Sequence, residues 1–287
     1  MKDTKNAFDK ETSYKLYRTV KELIHPSISK KNISDYKIVI DDNLLSLRVF
    51  YPKKISNLQN IIIFVPGDGN LTGCNYQYSS ICKDLAIELE SLIIAIDYYE
   101  TINEYPTILE KIETTIKYLY TELEKFNINK NQIILMGDSS GANYVSAITF
   151  RLIKNKFNYV EKEILLYPLL SGNYFDQCDF ASFVKAQEYN KELVEKIKNY
   201  MISYSKDKKN LKLSDVCPLQ NKDFSYYPKT LVITGDLDPL RDEGEAFYKK
   251  LDNNSKYENV IYASHGFLND KNLDVRKKYL NSIKEFI

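Results

Sequence analysis

Gln132-Ile133-Ile134-Leu135-Met136-Gly137-Asp138-Ser139-Ser140-Gly141-Ala142-Asn143 reads as a short apolar strand that passes, with no spacer, into a helix. The pattern G-x-S-x-G sits at that junction, with glycines at 137 and 141 permitting a turn too tight for side chains. Such a turn lifts the Ser139 hydroxyl above the sheet and aims the N-terminus of the next helix at it, where negative charge is favoured. Ser139 is therefore the candidate nucleophile.

The rest of the chain repeats this alternation of strand and helix. Short β-branched runs occur at Lys37–Ile40, Leu45–Tyr51, Asn60–Val65, Leu92–Asp97, Gln132–Met136, Glu163–Tyr167, Thr230–Thr234 and Asn259–Tyr262. Ile61 to Val65 is apolar at every position, as expected of a strand covered on both faces. Leu109, Ile112, Ile116, Leu119 and Leu123 step by three or four, which places one apolar stripe on a helix. Val145, Ile148 and Leu152 do the same, and Val275, Tyr279, Ile283 and Ile287 predict a final helix docked on the sheet. The first two runs, joined at Asp41-Asp42-Asn43, read as a hairpin. The expected fold is α/β: one domain over 1–287, with a mostly parallel eight-stranded sheet, antiparallel at its start and flanked by helices. Roughly 1–35 and roughly 173–216 depart from the alternation and are expected to form a small helical cap.

Composition excludes several classes of function. The chain has 287 residues, with Lys+Arg 40 against Asp+Glu 39 and a formal charge of +1, and the basic residues are interleaved with acids throughout. A nucleic-acid partner is not expected, because phosphate neutralisation needs clustered positive charge. The apolar runs Ile61–Val65 and Leu92–Ile96 fall far short of the roughly 20 residues that span a bilayer, so no integral membrane segment is expected. The polar start Met1-Lys2-Asp3-Thr4-Lys5-Asn6 lacks a secretory pattern, and cytoplasmic residence is the expectation. Cys74, Cys82, Cys178 and Cys217 are scattered without a C-x-x-C pair, which predicts reduced thiols and neither zinc nor a disulfide framework.

A serine hydroxyl needs a base to act at neutral pH. The chain has two histidines. His25, in Ile24-His25-Pro26, closes an N-terminal helical segment, whereas His265 lies in the small-residue loop Ala263-Ser264-His265-Gly266-Phe267 beyond the last strand. Parallel strands bring that loop to the same sheet end as Ser139, which favours His265. The carboxylate that orients the imidazole should follow another strand, and Asp236 and Asp238, after Thr230–Thr234, both qualify by spacing. The order Ser, Asp, His is that of α/β-hydrolases.

The chain resembles the hormone-sensitive-lipase-like esterase branch of the α/β-hydrolase superfamily. Gly137-Asp138-Ser139-Ser140-Gly141-Ala142-Asn143 is similar to that family's G-D-S-A-G-G-N elbow. Asp238-Pro239-Leu240-Arg241-Asp242-Glu243-Gly244 matches its D-P-L-R-D-E-G segment, and His265-Gly266-Phe267 its H-G-F. With Asp97-Tyr98 and Tyr167-Pro168, the resemblance extends from about residue 60 onward. It implies an α/β-hydrolase fold, with Ser139 as nucleophile, Asp238 rather than Asp236 as orienting acid and His265 as base. It further implies an oxyanion hole made by the backbone N–H groups of Asp68, Gly69 and Ser140. One departure stands out: the family's H-G-G-G loop is here Pro66-Gly67-Asp68-Gly69-Asn70. A carboxylate facing a developing oxyanion would oppose it, so the Asp68 side chain is expected to turn away.

The implied activity is carboxylic-ester hydrolysis on small or medium acyl esters through an acyl-enzyme. Neither metal nor organic cofactor is expected, since that cycle needs none and no G-x-G-x-x-G or P-loop pattern is present. Tyr174, Phe175, Phe180 and Phe183, in the expected cap, are the candidate lining of the substrate pocket. Two other readings remain open: a non-catalytic small-molecule-binding protein on the same fold, and an amide hydrolase such as a formamidase using the same three residues. A homodimer through a sheet edge or the last helix is compatible with the sequence.

Overall fold

Ile61, Ile63 and Val65 pack into a core on one face of a sheet, and Ile62 and Phe64 into a second core on the other. Side chains alternate along a strand, so an unbroken apolar run is what a strand with helices on both sides requires. The structure is a computed structural model. It describes residues 36–38, 46–53, 60–67, 76–98, 104–125, 129–157, 160–175, 178–252 and 254–287.

The described strands form one eight-stranded sheet: β1 Tyr36–Ile38, β2 Ser46–Phe50, β3 Ile61–Val65, β4 Leu92–Asp97, β5 Ile133–Asp138, β6 Lys162–Leu166, β7 Lys229–Gly235 and β8 Lys256–Val260. Their order is β1-β2-β4-β3-β5-β6-β7-β8. β2 runs antiparallel to both β1 and β4, and the remaining neighbours are parallel. The mostly parallel eight-stranded sheet expected from the sequence is the one observed.

The described helices are α1 Tyr76–Glu88, α2 Thr107–Lys125, α3 Ser140–Lys154, α4 Ala181–Tyr189, α5 Lys191–Ser205, α6 Arg241–Tyr248 and α7 Leu273–Phe286. α1 and α7 cover one face, with Ile81, Leu85, Val275, Tyr279 and Ile283 in its core. α2 and α3 cover the other through Ile112, Ile116, Val145 and Ile148, and α4, α5 and α6 add Phe183, Ile197 and Phe247 to that core. Each apolar stripe read from the sequence is thus the buried face of a helix, except that Ile287 lies past the end of α7 and is half-buried. α7 begins where the Asn272 side chain accepts from Asp274 N at 3.0 Å, closing an N-cap.

Most strand ends differ from the sequence reading by one or two residues, β5 running on to Asp138, and two differences have a local cause. The last strand is Lys256–Val260, not Asn259–Tyr262: Ile261 and Tyr262 have left the sheet and stand 57% and 76% exposed. Apolarity pointed to the wrong end of this segment because an edge strand pairs through its backbone, and Lys256 to Val260 match Leu231 to Gly235 in register. Tyr167 lies outside β6, with φ 36°, a left-handed backbone unsuited to a ladder. The expected hairpin turn at 41–43, His25, Cys74 and the expected cap segment 1–35 lie outside the described residues. Among the described residues, Cys178 and Cys217 are free thiols, and no helix is long and apolar enough to cross a membrane.

Because β5, β6, β7 and β8 are parallel, their C-terminal ends share one rim, and the loops that follow them meet there.

Candidate active site

Ser139 follows β5 directly, with φ 50° and ψ −118°, a backbone a serine holds only under constraint. Close packing supplies that constraint. A Cβ on Gly137 would stand 2.6 Å from the Gly141 carbonyl carbon, and one on Gly141 would overlap the Val65 carbonyl oxygen. Ser139 N donates to Leu166 O at 2.9 Å, while Ser139 O accepts from Asn143 N and Leu169 N, both at 3.2 Å. The turn is thereby fastened to β6, to the chain beyond it and to the start of α3.

Ser139 Oγ lies 2.9 Å from His265 Nε2. On the far side of the ring, His265 Nδ1 lies 3.1 Å from Asp238 Oδ1 and 3.0 Å from Oδ2. The structure brings these three side chains together from loops after β5, β7 and β8. Asp238 is fully buried, and its Oδ1 also accepts from Leu240 N at 2.8 Å, which fixes the carboxylate against the imidazole. Asp236, equal to Asp238 by spacing, has its backbone N–H on Val260 O at 3.1 Å and takes no part in this chain of contacts.

Burial alone would push the His265 imidazolium down. The adjacent Asp238, by charge and hydrogen bond, and Asp138, by charge, outweigh it and hold the group above its usual 6.5. An imidazole so placed faces the serine hydroxyl with Nε2 while Nδ1 is committed to the carboxylate. Ser140 opens α3, so its N–H belongs to the partly positive N-terminus of a 15-residue helix. The other two expected oxyanion donors, Asp68 and Gly69, lie outside the described residues, as does the expected orientation of the Asp68 carboxylate.

The cavity beside Ser139 and His265 has a volume of about 180 Å³. Its outer wall is one face of α5, from Leu193, Lys196, Ile197 and Tyr200, and Tyr78 and Leu169 complete the apolar lining. The four aromatics expected there are elsewhere. Tyr174 stacks on Phe183 of α4 with ring centroids 4.5 Å apart, and both are buried in the core. Phe175 lies under the Lys208 amine, 5.6 Å from it, beside a separate surface depression, and Phe180 packs against the core just before α4. An aromatic-rich segment fills core before it lines a pocket. The usable signal was the spacing Leu193, Ile197, Tyr200 on one helical face.

Two further groups, matched in the elbow, were given no role by the sequence reading. Asn143 Nδ2 donates to Leu169 O at 2.8 Å and to Val216 O at 2.9 Å, tying α3 to the segments on either side of α4 and α5. Asp138, inside the elbow, is buried; its Oδ1 accepts from Gly67 N at 2.8 Å, and its Oδ2 from Tyr78 OH at 2.7 Å and Tyr167 OH at 3.0 Å. Burial pushes this carboxyl up to about 6 in spite of these donors. In the sequence it is visible as the acid of the elbow that closes an apolar strand, but its partners are not.

The family described as alpha/beta hydrolase fold matches residues 62–269. A putative alpha/beta hydrolase, R526, of Acanthamoeba polyphaga mimivirus is 24% identical over 245 residues, covering 83% of this chain and 70% of the relative. An arylesterase of Saccharolobus solfataricus is 25% identical over 248 residues, covering 85% of this chain and 79% of the relative. Among solved structures, carboxyl esterase 2 of the mycorrhizal fungus Tuber melanosporum superposes with a TM-score of 0.77 at 18% sequence identity, over 97% of this chain and 98% of that one.

Proposed function

The chain belongs to the alpha/beta hydrolase fold family, and from that premise we propose that it is a serine carboxylic-ester hydrolase acting on small or medium acyl esters. One observation carries the reading: the unbroken run of contacts from Ser139 Oγ to His265 Nε2 at 2.9 Å and from His265 Nδ1 to Asp238 at 3.0 Å. The likeness to an arylesterase over most of both chains supports it.

In this reading Ser139 Oγ attacks the ester carbonyl carbon as His265 Nε2 takes its proton, and buried Asp238 stabilises the imidazolium that results. The carbonyl oxygen becomes an oxyanion, held by the N–H of Ser140 and by those of Asp68 and Gly69. Collapse of the tetrahedral intermediate breaks the bond to the leaving alcohol, which receives the proton from His265 and leaves an acyl-Ser139 ester. Water then attacks with His265 again as base, releasing the carboxylic acid and restoring the hydroxyl. A cavity of about 180 Å³ with an apolar wall favours a short acyl group over a long one.

The test is hydrolysis of 4-nitrophenyl acetate by the wild type beside Ser139→Ala, with fluorophosphonate labelling of both. Turnover and a covalent adduct that both vanish in the variant are expected. A folded wild type that neither turns over nor labels would instead indicate a binding protein. A formyl anilide run in parallel separates amide from ester hydrolysis, which use the same three residues.

A further inference from the structure

Asp138 is 1% exposed, at a depth where a carboxylate lacking partners would take up a proton. It has three donors, each from a different element. Gly67 N comes from the chain after β3, Tyr78 OH from α1 and Tyr167 OH from the chain after β6. Burial and the neighbouring Asp138 charge push both tyrosine hydroxyls well above their usual range, so they remain donors at any working pH. Tyr167 also touches the base: its ring meets the His265 ring edge-on, with centroids 5.1 Å apart. The same residue is held at φ 36° while fully buried, so the fold accepts backbone strain to keep it there.

We propose that Asp138 is a second carboxylate of this site, kept ionised by Tyr78, Tyr167 and the Gly67 amide so that its charge supports the imidazolium that forms on His265. The inference rests on reading His265 as the base. Asp138 is a positioning residue in this scheme, since it acts through Tyr167 and His265 and not on the ester. The polar and charged groups facing His265 are Ser139 and Asp138 from the β5 turn, Asp238 from the loop after β7 and Tyr167 from the chain after β6. Those facing Asp138 are Gly67, Tyr78, Tyr167 and His265. Tyr98, the next tyrosine outward, donates instead to the Pro66 and Gly67 carbonyls. Asparagine keeps the shape but carries an NH2 donor in place of one acceptor oxygen, so it removes the charge and one of the two acceptors that Gly67 N and the tyrosine hydroxyls use.

Asp138 and His265 share one field, so their titrations are coupled, and removing the Asp138 charge must lower the apparent pKa of His265. The chain has two histidines, so a His25→Asn background leaves one imidazole to follow by NMR titration. In Asp138→Asn the His265 titration should move down by about half a unit or more. The acid limb of kcat/KM should follow it, retaining about threefold more of its plateau value on the acid side. Tyr167→Phe and Tyr78→Phe each remove one donor that holds the carboxylate ionised, so Asp138 takes up a proton more readily and His265 should shift in the same direction by less. These two variants decide the question if Asp138→Asn does not fold. An unmoved His265 titration in the folded variants would overturn the proposal, even if their activity fell. The NMR titration needs no turnover, so failure of the ester reading and failure of this one are separately visible.

Discussion

The Tyr174 hydroxyl donates to Glu243 Oε2 at 2.5 Å, joining the chain after β6 to the first turn of α6 across 69 positions. Leu170 N occupies Oε1 at 2.7 Å. Tyr174 is thereby a buried tie in the core and not part of the cavity lining. Burial pushes the Glu243 carboxyl up to about 8 from its usual 4.5, against the hydrogen bonds from Tyr174 and Leu170.

A stability consequence follows from that shift. With its folded pKa above its unfolded one, Glu243 binds more protons in the folded state between 4.5 and about 8. Its contribution is complete below the lower value and is lost as pH rises through the upper one, at no more than about 1.4 kcal/mol per pH unit. Glu243→Gln removes this slope. Urea midpoints between about pH 5 and about pH 9 should fall more steeply for the wild type than for the variant, and parallel curves would contradict the assignment.

What the sequence made legible was local. The elbow, the segment from Asp238 to Gly244 and His265-Gly266-Phe267 are each contiguous, so their spacing survives without knowledge of the fold. The sheet was legible because Ile61 to Val65 and Leu92 to Ile96 are apolar on both faces, which only a covered strand tolerates. Pocket lining was not. Whether Tyr174 faces a cavity or a glutamate depends on Glu243, far along the chain, and nothing near Tyr174 encodes it. Asp138 was hidden for the same reason, since its three donors come from positions 67, 78 and 167.

The pH profile of ester hydrolysis should carry the signature of His265. Its imidazole must be neutral to accept the Ser139 proton, and Asp238 with Asp138 holds the group above 6.5 despite burial. kcat/KM should therefore rise with pH through a midpoint above 6.5 and fall about tenfold per unit on the acid side. Initial rates across the pH range, at substrate well below KM, measure it, and a midpoint at or below the free-imidazole value would contradict the electrostatics.

Asn143→Ala should loosen the loop that carries Leu169 beside the cavity. It removes both Nδ2 hydrogen bonds, to Leu169 O and Val216 O, and leaves two buried carbonyls without that donor. A loss of about 2 kcal/mol is expected by urea unfolding, with a lower kcat. Unchanged stability would mean that the amide is not the tie between these segments.

Asp68→Gly tests the loop that departs from the family pattern. On the expectation that the Asp68 carboxylate turns away from the oxyanion, deleting it should change kcat for 4-nitrophenyl acetate by no more than a few fold. A gain of about 100-fold would match the few kcal/mol that one oxyanion interaction is worth and would place the carboxylate in the hole.

Leu193→Ala probes the α5 wall. Leu193 lines the cavity from the first turn of α5 and is only half-buried, so its truncation costs less stability than the loss of a fully buried leucine. The helix start should survive, because the Asn190 side chain accepts from Leu193 N, a backbone group that the substitution leaves in place. Space opened beside Ser139 should be taken up by a longer acyl chain. Since one methylene in an apolar pocket is worth about 1 to 3 kcal/mol, the ratio of kcat/KM for the 4-nitrophenyl hexanoate over the acetate should rise about tenfold. The comparison is internal to one enzyme preparation, so partial unfolding cancels from the ratio. A ratio that does not move would place the acyl group away from α5 and leave that wall to the alcohol.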